Sequence, residues 1–155
     1  MTLSRAARLI IGTVPFVLGF YMVALHASVG RPIWIDEFSH FAFAAEPTAS
    51  RAWALFLATA DDIQHGQTGV YIMLNYWTLS LFGSDATLLR LPSILSGVFL
   101  FSAAIMLVRV LGFSVLWQLV MVAALTGQHL VMYFLGEARA YAPIPAAAVG
   151  LLLFY

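Results

Sequence analysis

The sequence predicts an all-α fold: a polytopic transmembrane helical bundle, with amphipathic helices lying at the interface in its first extracytoplasmic loop. Three observations lead there. Hydrophobic residues make up 63% of the 155 and charged residues only 9%, against about 25% charged in a soluble domain, and mean hydropathy is +0.95. Apolar runs of membrane-helix length recur at 9–27, 91–110 and 113–135, with another starting at 143. Nearly all the charges lie at the ends of these runs or between them.

The first run follows Arg5 and Arg8. A cleaved signal peptide is the alternative, but its apolar core runs about 7–15 residues and ends at a small-x-small site. Here 19 residues run from Leu9 to Ala27, and bulky Leu25 stands where a small residue is wanted. A retained helix is therefore expected, and Arg5 and Arg8 put the N-terminus in the cytoplasm by the positive-inside rule. Residues 28–69 hold five of the seven acids, yet Trp34, Phe38, Phe41, Phe43, Trp53, Leu55, Phe56 and Leu57 are spread through them. That mixture fits short interfacial helices better than a linker, with breaks at Pro47 and Gly66.

The run "VYIMLNYWTLSLF", 70–82, follows. Thirteen helical residues reach only about 20 Å, against a hydrocarbon core of roughly 30 Å. Its Tyr71, Tyr76 and Trp77 are typical interface residues. Counting arginines slightly favours a spanning 70–82, whereas length favours a surface position; the surface position is adopted, making 28–90 one extracytoplasmic loop. Residues 91–110 are long enough to cross, with Pro92 acceptable in a first turn, and Gly112 ends the run. Residues 113–135 form a further span interrupted by Gln118, Gln128 and His129, which are expected to hydrogen-bond between helices. The last apolar run stops at Tyr155 without a polar cap. Residues 1–155 are therefore expected to be a single N-terminal transmembrane region of a larger protein.

Net charge is zero and no basic run occurs, so nothing points to nucleic acid. With no cysteine, disulfides and thiolate metal sites are excluded. The adjacent acids Asp36 and Glu37 can be a helix N-terminus favoured by the macrodipole, or a general base whose pKa is raised by partial desolvation. Arg90, directly before a span, is a headgroup contact or a phosphate clamp. Glu137 and Arg139 can pair with each other or act at the membrane boundary. Asp36 with His40 lacks the third ligand that a metal site needs, and Asp61, Asp62 and His65 read as a solvated loop rather than a metal cluster. No metal ligands are assigned.

The order of these pieces is more specific than any one of them. "W-x-DE" follows the first helix, then "HGQTGVYIMLNYWTLSLFG", "FGSDATLLRLPSILSG", a span ending "VRVLG", a further span and "EARAY". From about residue 9 to 155 the chain resembles the N-terminal portion of polytopic glycosyltransferases of the GT-C fold, in the protein O-mannosyltransferase and aminoarabinose-transferase-like group. The resemblance implies an integral protein of the cell (inner) membrane with an extracytoplasmic active site. It implies transfer of a sugar, with inversion, from a polyprenyl-phosphate-linked donor to an acceptor hydroxyl. It makes Asp36 the catalytic acid-base residue with Glu37 beside it, and Arg90 and Arg139 the contacts to donor phosphate. His65, Glu137 and Tyr141 become substrate-binding candidates, and a divalent metal cofactor is left open. Trp34, Ile35 and Phe38 are expected to keep Asp36 partly dry. Many relatives have His-Pro-Pro where this chain has His65, Gly66 and Gln67. The sugar and acceptor stay undefined. A non-enzymatic assembly subunit or part of a transporter is the competing reading; it predicts charges that act as separate anchors, or ionisable groups at the bilayer midplane.

Overall fold

Among the described residues every regular element is a helix. The computed structural model describes residues 5–28, 33–59, 68–139 and 141–154; the side chains of residues 5–10, 27, 28, 36 and 86 lie outside that description. The elements are α1 (Arg5–Ser28), α2 (Ile35–Ala44), α3 (Ala49–Thr59), α4 (Gly69–Phe82), α5 (Ala86–Leu89), α6 (Leu91–Val110), α7 (Val115–Gly127), α8 (His129–Leu135) and α9 (Pro143–Phe154).

Helix α6 is the axis, packing against α1, α7, α8 and α9. Helix α1 runs antiparallel to it. Near one end the Arg109 guanidinium donates to the Gly12 carbonyl and lies 5.1 Å over the Phe16 ring; further along, Phe101 abuts Gly19. Helix α6 ends in a Schellman turn, in which Gly112 N–H donates to Arg109 and Phe113 N–H to Val108. Gly112 takes φ 81°, a left-handed conformation that glycine accepts without a Cβ clash. The chain then returns through α7 and α8, and Leu135 at the end of α8 seats against Gly97. A Cβ on Gly97 would stand 2.6 Å from the Leu135 side chain, so any larger residue there would have to displace Leu135. Helix α9 descends again beside α6, with Gly150 against Phe99.

The remaining helices gather at the start of α6. Helix α4 packs on α2, α3, α5 and α6, around Phe43, Phe56 and Ile72 on one side and Ala44, Leu79, Leu89 and Ala138 on the other. Burying a side chain of that size stabilises by about 1.5–3 kcal/mol, which holds together helices too short to persist alone.

Several expectations change. Residues 113–135 are two helices bent by 73° around Gln128, not one straight run. Gln128 and His129 at this elbow are exposed rather than reaching between helices, while Gln118 is buried. Tyr71 and Tyr76, expected at an interface, are in the core, and only Trp77 is exposed. Pro47 does break the chain between α2 and α3; Gly66 lies outside the described residues. Of these helices Leu91–Val110 is by itself long and apolar enough to cross a bilayer; α7 and α8 qualify only as a bent pair, and Ile11–His26 and Pro143–Phe154 are shorter apolar stretches.

Candidate functional site

Glu37 occupies the third position of α2, where a carboxylate can reach back to the free N–H groups of a helix start. Its Oε2 accepts from the Trp34 N–H at 3.1 Å. The rest of its bonding comes from far along the chain. Arg90, at the junction of α5 and α6, donates from Nε to Oε1 at 2.9 Å and from Nη2 to Oε2 at 2.7 Å. The Ala138 N–H donates to Oε1 at 2.7 Å. Four donors fill the four lone-pair positions of the carboxylate, and Glu37 is fully buried.

The electrostatics follow from this geometry. Burial pushes the Glu37 carboxyl upward, but the hydrogen bonds from Arg90, Ala138 and Trp34, with the Arg90 charge, outweigh it and hold the pKa below the usual carboxylate range. The hydrogen bond to Glu37 raises Arg90 in turn, against burial, with help from the charges of Glu37 and Glu137. A carboxylate with no free lone pair and a lowered pKa is a poor general base. Glu37 is therefore structural in the first instance, and Arg90, expected on donor phosphate, has its fork on Glu37.

The segment after α8 completes the cluster. Glu137 is buried at 2% exposure, and its Oε2 lies 3.4 Å from Arg139 Nε. Arg139 is the more accessible cation, its side chain 21% exposed against 9% for Arg90. Its guanidinium lies 6.0 Å over the Tyr141 ring, which stacks on Phe134 at 4.5 Å and is itself exposed. The Ser93 hydroxyl donates to the Arg139 carbonyl and hydrogen-bonds the Tyr71 hydroxyl. Burial raises the Tyr71 pKa, so its hydroxyl stays neutral.

The expected residues thus divide. Glu37, Arg90, Glu137 and Arg139 come together, with Tyr141 at the rim. Asp36 has its backbone in the first turn of α2, directly before Glu37; its side chain lies outside the description, as do His65, Asp61 and Asp62 entirely. His40, paired with Asp36 by spacing, is buried and hydrogen-bonds through Nδ1 to Asn75 at 3.1 Å, edge-on to Tyr71. No group of three potential metal ligands is found among the described residues. Trp34, Ile35 and Phe38, expected to dry the site, are exposed at 52%, 85% and 65%, so the protein does not cover them. Sequence reading missed Asn75, Tyr71 and Ser93. Their signal was a polar atom inside an apolar run, as at Asn75 within "IMLNYW".

Ion pairs contributed by α2, α6 and the 136–139 turn make one polar centre at the α6 start, walled by apolar helices. Against family models, curated proteins and solved structures alike, the chain has no match.

Proposed function

We propose that the chain carries the donor-facing part of a membrane glycosyltransferase that uses a polyprenyl-phosphate-linked sugar. In this reading α1, α6, the bent pair α7–α8 and α9 cross the bilayer, and α2–α5 form a cap at the extracytoplasmic interface. The exposed Trp34, Ile35 and Phe38 then meet lipid, which supplies the dryness the protein itself does not. The donor's tail stays in the bilayer while its sugar-phosphate head reaches the cap.

The chemistry is one displacement. Asp36 takes the proton of an acceptor hydroxyl as that oxygen attacks the anomeric carbon. The bond from that carbon to the phosphate oxygen breaks, and polyprenyl phosphate leaves with the electron pair, inverting the centre. The base is assigned to Asp36 because the Glu37 carboxylate is already saturated. Arg139, the accessible cation, meets the departing phosphate, and Tyr141 beside it offers a flat apolar face to the sugar ring.

The observation that carries this reading is convergence. Glu37 and Ala138, separated by 101 positions, meet at a hydrogen bond, and two ion pairs share their spot; separate topological anchors would have no reason to meet. A purely structural knot is the second reading, favoured by the saturation of Glu37. Membranes containing the full-length protein, supplied with radiolabelled polyprenyl phosphate hexoses, separate the two. Asp36→Asn should lower transfer by about 10²–10⁴-fold without lowering protein level. Undiminished transfer, or none by the wild type with any donor in the panel, refutes the proposal.

A further inference from the structure

We infer that Glu37 is a positioning residue: its carboxylate latches the 136–139 turn onto α2, and so places Arg139 beside the first turn of α2. The inference rests on the transferase reading above for its functional consequence, but the latch itself is a statement about geometry.

Three features carry it. The first is the sharing of the carboxylate. Two of its four hydrogen bonds come from backbone amides, Trp34 and Ala138, and two from Arg90. An ion pair alone would need only Arg90. The second is where the amide donors lie. Ala138 sits between Glu137 and Arg139, so its N–H anchors the 137–138 peptide plane between the two charged residues. Ala138 is itself fully buried against Ala44, Leu79 and Leu89, which seats the turn on the cap. The third is the second tie on the same turn: Ser93, one helical turn into α6 from Arg90, donates to the Arg139 carbonyl at 3.2 Å. The turn is thus held at Ala138 from α2 and at Arg139 from α6. Only the Arg139 head is left partly accessible.

The consequence for the proposed reaction is a division of labour between neighbours. Asp36 and Glu37 are adjacent on one helix, where successive side chains diverge by about 100°. One acts on the acceptor, and the other holds the segment that meets the donor.

The test reads the latch without any substrate. Amide hydrogen exchange is measured on the full-length protein in membranes, comparing residues 137–139 with α6 as an internal control. Glu37→Gln should accelerate exchange at Ala138 by about tenfold or more, as a charge-assisted hydrogen bond becomes a neutral one, with α6 unchanged. Exchange at wild-type rates overturns the inference. If Glu37→Gln does not fold, Arg90→Lys, which keeps the cation but loses the fork, should accelerate Ala138 in the same local way, and the same unchanged rate overturns it. The reversed pair, Glu37→Arg with Arg90→Glu, restores opposite charges but offers the two amides no acceptor at position 37. Fast exchange at Ala138 in that variant supports the latch; restored protection refutes it. With a radiolabelled polyprenyl phosphate hexose as probe, Glu37→Gln should raise KM about tenfold with kcat within about threefold, whereas Asp36→Asn lowers kcat and leaves Ala138 exchange as in the wild type. A kcat loss in Glu37→Gln equal to that of Asp36→Asn, with KM unchanged, refutes a positioning role. If neither variant alters transfer, the transferase reading fails, and the exchange results still decide the latch.

Discussion

Replacing Arg90 with methionine removes the guanidinium while leaving an apolar stem of similar length in its place. In the wild type Arg90 supplies two of the four hydrogen bonds to Glu37, whose side chain is 0% exposed. Removing one partner of a buried ion pair costs about 3–5 kcal/mol. The Ala138 and Trp34 amides still hold the carboxylate, so the lower end, about 3 kcal/mol, is expected at neutral pH. The pH dependence is the sharper part. In the wild type the folded Glu37 pKa lies below its unfolded value, so its contribution is present above the unfolded pKa and is lost as pH falls through the folded one. Without the fork, both contributions of Arg90 to that lowering are lost while burial remains, so the folded pKa of the variant moves up from the wild-type position. On acidification the variant therefore binds its proton before the wild type does, which removes the stranded charge. The stability gap between the two proteins should therefore narrow on acidification. Unfolding by SDS titration in mixed micelles, at pH about 7.5 and about 5, measures it. A gap that is constant or widens at the lower pH, or that is below about 1 kcal/mol at the higher one, the worth of an exposed pair, would refute the reasoning.

Two further outcomes follow from the packing. Gly97→Val should destabilise by about 1–3 kcal/mol through overpacking, because Leu135 already occupies the space of a Cβ; adding Leu135→Ala should recover most of the loss, read as the thermal midpoint in detergent. With no native cysteine, single cysteines report topology cleanly. At the exposed Ser84 and Tyr141 they should react with an impermeant maleimide on intact cells, whereas one at exposed Ser114 should react only after permeabilisation. The opposite pattern would invert the proposed orientation, and a buried position such as Ala138 cannot report.

Helix existence was legible because each helix is written locally. The 91–110 run was placed within a residue of its observed ends, and Pro47 marked the turn between α2 and α3. The break in 113–135 was visible only as a polar Gln128–His129 pair; its 73° angle belongs to the tertiary packing, in which Leu135 meets Gly97. Composition marked Tyr71 and Tyr76 as interface residues because their hydroxyls resemble those of any interfacial tyrosine; the Ser93 partner that lets Tyr71 be buried lies 22 positions away. The same limit governs the site. The resemblance favoured Asp36 with Glu37 as its rival, but local rules permit either to face inward. What turns Glu37 inward is the fork of Arg90, 53 positions downstream, and an amide 101 positions downstream. Periodicity does not encode pairings at such range.

Those separations also set a schedule for biogenesis. Glu37 leaves the ribosome long before Ala138, and at about 5–20 residues per second the 101 intervening positions occupy about 5–20 s. For the first 53 of those positions α2 has neither Arg90 nor the 136–139 turn, and for the remainder it still lacks the turn, so its carboxylate is short of the donors that make its burial tolerable. A carboxylate in that condition is stable only where water still reaches it. In the proposed membrane arrangement the cap then waits at the membrane surface and closes last, after α8 has turned back at Gln128. An arrest of translation between α6 and α8 would leave the acid solvated and the cap open, a state that a membrane-bound protease or chaperone could recognise by its exposed aromatic residues.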